Sequence, residues 1–140
     1  MNVVAVHRTI YITVVDIDYH QSTEGLIHMP SFIVTSDWHV GAPMNSAGSA
    51  ASRFRDVRFK VITQIVETAN KRKVNALFIL GDLFDSDRVG EPELLRIRAL
   101  LAKANCPVYI IPGNHDWWHR GGVMDAFTRL VKKNDSINIV

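Results

Sequence analysis

A single cysteine among 140 residues leaves no means of building an intrachain disulfide or a cysteine-based zinc site. No apolar run approaches the ~18 residues that a membrane-spanning helix needs. The opening Met1 to Ile17 is apolar, but Asp16 interrupts it, Asp18 follows, and no small-residue cleavage site comes after, which argues against a signal peptide. A reducing cytoplasm is therefore the expected compartment, and no membrane is expected as a partner. No glycine fingerprint joins a first strand to its helix, so nothing marks a dinucleotide fold. A repeat with a period of about 20 to 50 residues is missing, as is any low-complexity linker. Charge of one sign is scarce too: the net charge of +2 is too small to argue for nucleic acid by itself. The basic residues are spread over Arg53, Arg55, Arg58 and Lys60, then Lys71 to Lys73, then Lys132 and Lys133, and read as solvated helix faces or helix ends.

What is present is a repeated plan of apolar strand, loop and amphipathic helix. Ser31-Phe32-Ile33-Val34-Thr35-Ser36, Ala76-Leu77-Phe78-Ile79-Leu80 and Pro107-Val108-Tyr109-Ile110-Ile111 are strand-like runs, and Ser136 to Val140 looks like a fourth. Between the first two lies a helix whose apolar positions Phe54, Val57, Val61, Ile62, Ile65, Val66 and Ala69 recur at three and four. A second helix opens at Glu91-Pro92 with Leu94, Ile97, Leu101 and Ala104 inward, and a third follows Gly121-Gly122 with Val123, Phe127, Leu130 and Val131 inward. Strand, helix, strand units give parallel, right-handed crossovers, so the expected fold class is α/β, a parallel sheet flanked by helices with three loops converging on one edge. Residues 1–28 read either as an extra edge strand or as a leader with no role in the core, and the second is the favoured expectation.

Each of the three strands discharges polar ligands at its carboxyl end, where open α/β sheets keep their chemistry. Asp37 and His39 are one residue apart, so at an extended strand end they fall on the same side and can chelate one ion. Asp82 follows Gly81, and its two oxygens can reach two ions; Asn114 offers a neutral carbonyl oxygen. A thiol-free, oxygen-rich set containing imidazole suits manganese, iron or zinc, whereas magnesium seldom takes histidine. Two such ions about 3.5 to 4 Å apart would clamp and polarise a phosphate. His115 is then placed to protonate the leaving oxygen, with Asp116 to orient or charge-stabilise its imidazole; the competing reading makes His115 a third metal ligand. Asp85 is either hydrogen-bonded to a ligand from outside the centre or the cap of the loop at Ser86. Trp38 reads as core packing. Trp117 and Trp118 cannot both point inward, leaving one to stack on a base or sugar, and His119 reads as a surface histidine.

Asp37-X-His39, Gly81-Asp82-X-X-Asp85 and Gly113-Asn114-His115-Asp116 resemble the first three motifs of the calcineurin-like metallophosphoesterases, over roughly Met29 to Leu130. The resemblance implies a β-sandwich with helices outside and two divalent ions. It also implies Asp37 and His39 on the first ion, Asn114 on the second, Asp82 bridging them and His115 as the acid. Ser36-Asp37-Trp38-His39-Val40-Gly41, Arg53, Gly81 to Asp85 and Pro107 to Asp116 are most similar to the double-strand-break repair exonucleases of that family. That likeness implies a manganese-dependent phosphodiesterase, DNA as partner and an ATPase partner subunit. Histidine and aspartate both occur in that branch at the position of Asp85. The family's later motifs, an isolated ligand histidine and a terminal Gly-His-X-His, have no counterpart, since no Gly-His pair occurs in the sequence. The resemblance thus implies that residues 29–140 form the N-terminal half of an αββα sandwich. Residues 1–140 alone are then expected to be inactive and, with an apolar sheet face in water, to aggregate or form a homodimer.

Overall fold

A computed structural model describes residues 2–3, 11–16, 30–43 and 51–140. In chain order the elements are β1 (Asn2–Val3), β2 (Tyr11–Asp16), β3 (Ser31–Ser36), α1 (Ala51–Arg72), β4 (Ala76–Leu80), α2 (Glu91–Leu101), β5 (Val108–Ile111), α3 (Val123–Leu130) and β6 (Ile137–Ile139). They form one six-stranded sheet in the order β1-β2-β3-β4-β5-β6. The β-branched and aromatic runs make β3 to β6 a parallel block, in which Ile33 sits opposite Leu77, Leu77 opposite Val108, and Val108 opposite Ile137. β2 lies antiparallel against β3, with Tyr11 opposite Ser36 and Asp16 opposite Ser31, and β1 is antiparallel to β2. The opening segment thus contributes strands to the sheet, where the sequence favoured an extension outside the core. The rest of that leader lies outside the described residues.

Strand order follows chain order from β3 to β6, so all three crossovers step the same way. Right-handed crossovers that step the same way place their helices on one face. The burial pattern agrees, since Ile33, Leu77, Ile79, Val108, Ile110 and Ile137 are buried with Ile62, Ile65, Ile97, Leu101 and Phe127 in one core. The opposite face carries a ladder of part-exposed aromatics, Phe32, Phe78 and Tyr109, with successive ring centroids 5.7 and 5.3 Å apart. Leu80 and Ile111 continue it and are 42% and 45% exposed.

Side-chain partners fix the helices to one another. Asn70 of α1 donates to the carbonyl of Lys103 at 2.8 Å and accepts from the N–H of Asn105 at 2.7 Å, joining the ends of α1 and α2. Arg98 of α2 grips Asp135 with two bonds of 2.6 and 3.0 Å, anchoring the turn before β6. The buried stripe of α1 differs from the expected one. Val57 is 42% exposed, whereas Phe59, with the Arg96 guanidinium 3.7 Å above its ring, is buried. No helix of the described residues is long and apolar enough to cross a membrane.

Candidate metal centre

The loops leaving β3 and β4 stay paired beyond the strands. Asp37 N–H donates to the carbonyl of Gly81 at 3.2 Å, His39 N–H to that of Asp82 at 2.9 Å, and Val40 N–H to that of Leu83 at 3.0 Å. Asp85 N–H returns a bond to Val40 at 3.0 Å, so Val40 and Phe84 form a parallel bridge. This pairing sets Asp37 and His39 beside Asp82. All three hold positive φ, at 59°, 42° and 51°. A non-glycine residue in that region costs about 1 kcal/mol or more and persists only where its surroundings enforce it. Here the two hydrogen-bonded loops enforce it, at three of the four positions expected to ligate metal.

One ligand atom from each of Asp37, His39 and Asp82 lies within 4.8 Å of the other two. Nε2 of His39 is 3.9 Å from Oδ1 of Asp37, whose other oxygen accepts a hydrogen bond from the Ser36 hydroxyl. Nδ1 of His39 faces Oδ1 of Asp85 at 3.4 Å and has no hydrogen-bond partner among the described residues, although it is buried. Buried polar atoms are seldom left without a partner, so the orphaned Nδ1 and the Asp85 carboxylate it faces fit a cation better than an empty loop, and the ring's other nitrogen clusters with Asp37. The donors are oxygen and imidazole, a set that suits manganese, iron or zinc.

His39 belongs to a second group as well, with Asp85 and His115, again within 4.8 Å of one another. The two imidazoles meet edge to face at 4.9 Å. His115 N–H donates to Oδ1 of Asp82 at 3.0 Å, and its ring Nδ1 lies 3.0 Å from the carbonyl oxygen of Asp85. A carbonyl only accepts, so Nδ1 carries the hydrogen in that contact and Nε2 is the nitrogen left for proton transfer. Asp85 therefore touches both histidines, one through its carboxylate and one through its backbone.

Asp116 is placed differently from expectation. Its carboxylate is 1% exposed and accepts the N–H of Gly113 at 2.7 Å and of Phe84 at 3.0 Å. Both oxygens thus bind backbone, and the imidazole of His115 is oriented by Asp85 instead. Asn114 is exposed on the same loop, between Gly113 and His115. Trp38 is fully buried with Nε1 donating to Thr35 Oγ1 at 2.8 Å, while Trp117 and Trp118 are 59% and 55% exposed.

Asp87 and His119, given no role by the sequence, brace the loops around the centre. Asp87 Oδ1 accepts the N–H of Val123 at 2.8 Å, at the start of α3, and Oδ2 meets Nε2 of His119 at 3.0 Å. The backbone N–H of Val123 and then His119 hold the Asp87 carboxyl below the usual carboxylate range. Two aspartates and a histidine from the loops after β3 and β4, with a second histidine one loop away, are a candidate site for a divalent cation. The family model for calcineurin-like phosphoesterases matches residues 30–138, spanning every one of these side chains. The chain belongs to the calcineurin-like phosphoesterase family, whose members use divalent metal ions.

Proposed function

We propose that the protein is a metal-dependent phosphodiesterase acting on DNA ends, with manganese as the preferred ion. The observation that carries the hydrolase reading is the convergence of Asp37, His39 and Asp82 within 4.8 Å on strained, hydrogen-bonded loops. Asn114, on the adjoining loop, adds a neutral oxygen donor. Asp37, His39, Asp82 and Asn114 would hold divalent ions, and the chemistry such ions would supply is Lewis-acid polarisation of a phosphate and a lowered pKa for a water. The chain's own residues supply the remainder. As the imidazolium, with Nδ1–H held on the Asp85 carbonyl, His115 would give its Nε2 proton to the leaving oxygen and remain as the neutral Nδ1–H form. Trp117 and Trp118, exposed next to His115 and Asp116, offer flat apolar surfaces on which an unstacked base can lie. The DNA reading draws its support from those aromatics and from the exonuclease-like phrasing around Asp37, Asp82 and Asn114.

The test is manganese-dependent cleavage of linear duplex DNA by the complete metallophosphoesterase domain, run beside nitrophenyl mono- and diesters. Cleavage of DNA and diester is the expected result. Turnover of the monoester alone would replace the nuclease reading with a phosphoesterase for small or protein-bound phosphates. Failure to bind manganese or zinc at all would make the chain a non-catalytic binding module.

A further inference from the structure

Helix α1 holds a charge where its pattern calls for an apolar residue. Its buried stripe runs through Ile62, Ile65 and Ala69, which are 0%, 2% and 1% exposed. Arg58 stands four, seven and eleven residues before them, so it occupies the centre of the same inward face. Half-buried there, it has no hydrogen-bond or ion-pair partner among the described residues. Other arginines are provided for: Arg98 grips Asp135, and Arg129 pairs with Asp125.

Topology sets where this cation points. α1 follows β3, whose carboxyl end carries Asp37 and His39, so the helix starts at the ligand edge of the sheet and runs away from it. Arg58 is in the first half of the 22-residue helix, and helical side chains lean toward the helix N-terminus, here toward that edge. Burial lowers the pKa of the guanidinium, and the charge of Asp85 acts in the other direction. Among the described residues no ion pair joins the two, and Oδ1 of Asp85 faces Nδ1 of His39 at 3.4 Å. Among the described residues, no acceptor therefore occupies the donor fork of this half-buried guanidinium.

We propose that Arg58 is a phosphate-binding residue of this centre, its guanidinium donating to a non-bridging oxygen of the substrate's phosphoryl group. The inference rests on the phosphoester reading of the site but not on DNA as substrate. Planar, fixed donors suit phosphate oxygens, and a partly desolvated fork binds them more strongly than an exposed one. Arg55, exposed one turn earlier on the same helix, has neither property.

Binding of inorganic phosphate to the manganese-loaded full chain, measured by calorimetry, tests this with four proteins: wild type, Arg58→Met, Arg58→Lys and Arg55→Met. Arg58→Met keeps an apolar stem against the core and removes the charge. It is expected to bind phosphate about tenfold more weakly or worse, with Arg58→Lys in between and Arg55→Met unchanged. Manganese stoichiometry and thermal midpoint are expected to hold across the set. Wild-type phosphate affinity in a folded, manganese-loaded Arg58→Met would overturn the proposal. So would a loss of manganese in that variant, which would assign Arg58 to the centre instead of the substrate. Should Arg58→Met not fold, Arg58→Lys decides: severalfold weaker binding supports the fork, and equal affinity overturns it. DNA cleavage by the wild type is scored separately. Phosphate binding through Arg58 without DNA cleavage removes only the nuclease reading, whereas DNA cleavage with Arg58-independent phosphate binding removes only this inference.

Discussion

A Cβ on Gly113 would stand 2.1 Å from Oδ1 of Asp82 and 2.5 Å from its backbone nitrogen. The loop after β5 therefore lies directly against the carboxylate expected to bridge two ions, and it does so only because that position carries no side chain. Gly113→Ala should push Asp82 aside, destabilise the fold by about 1 to 3 kcal/mol and weaken manganese binding. Gly121 is the control. It has φ +81° but open space around it, so Gly121→Ala should cost only about 1 kcal/mol of backbone strain and leave manganese binding intact. Thermal melts and metal calorimetry on both variants check the pair; equal metal affinity in Gly113→Ala would contradict the close approach.

The division of labour between Asp82 and His115 gives a second expectation. Asp82→Ala should abolish metal loading and turnover together. His115→Gln should leave metal bound and slow the chemical step by roughly 10²- to 10⁴-fold, the range attributed to general acids. Loss of an ion in His115→Gln would make it a ligand.

Asp116 should behave as a brace. Asp116→Ala leaves two backbone N–H groups without the oxygens they donate to, and is expected to lower unfolding free energy by about 3 kcal/mol, at roughly 1.5 kcal/mol per bond to a charged acceptor. Denaturant titration measures it. A variant of wild-type stability with a slowed chemical step would return Asp116 to the role of imidazole partner.

A pH expectation follows from Asp135. Its hydrogen bonds from Arg98 hold the carboxyl below the usual carboxylate range, burial opposes them, and the N–H of Lys132 assists. A depressed carboxyl contributes stability above the unfolded value of about 3.9, and that contribution fades as pH falls through the folded value. Asp135→Asn should therefore be less stable than wild type at pH 7, with the gap closing below about pH 4. A gap that persisted unchanged to pH 2 would show that the loss is not electrostatic.

Legibility differed from residue to residue. β3, β4 and β5 could be read because their β-branched runs end in Asp, Gly and Pro-Gly, and the candidate ligands Asp37, His39 and Asp82 followed from position at those ends. The place of β2 could not be read, since Tyr11 to Asp16 pairs with β3 across a polar stretch that carries no register signal. Asp116 looked catalytic beside His115 because both its partners are backbone N–H groups, which every residue but proline has, and one of them, that of Phe84, is 32 residues away. On α1, counting only apolar side chains set Val57 inside. Arg58 takes the inward position and Phe59 is buried beside it, and the signal was the spacing of Arg58 to Ile62, Ile65 and Ala69.

Because β3 to β6 are laid down in chain order, each new strand adds beside the one just made, and none must be inserted between two already paired. Pairing of this kind keeps loop-closure costs small and allows the sheet to grow from its amino end during synthesis. Asp37 and His39 meet Asp82 after a single crossover, and Gly113 and His115 close over them after the next. Asp37, His39, Asp82, Asp85 and His115, the residues of the two candidate groups, all precede α3 and β6 in the chain, so these groups can assemble before those elements are made.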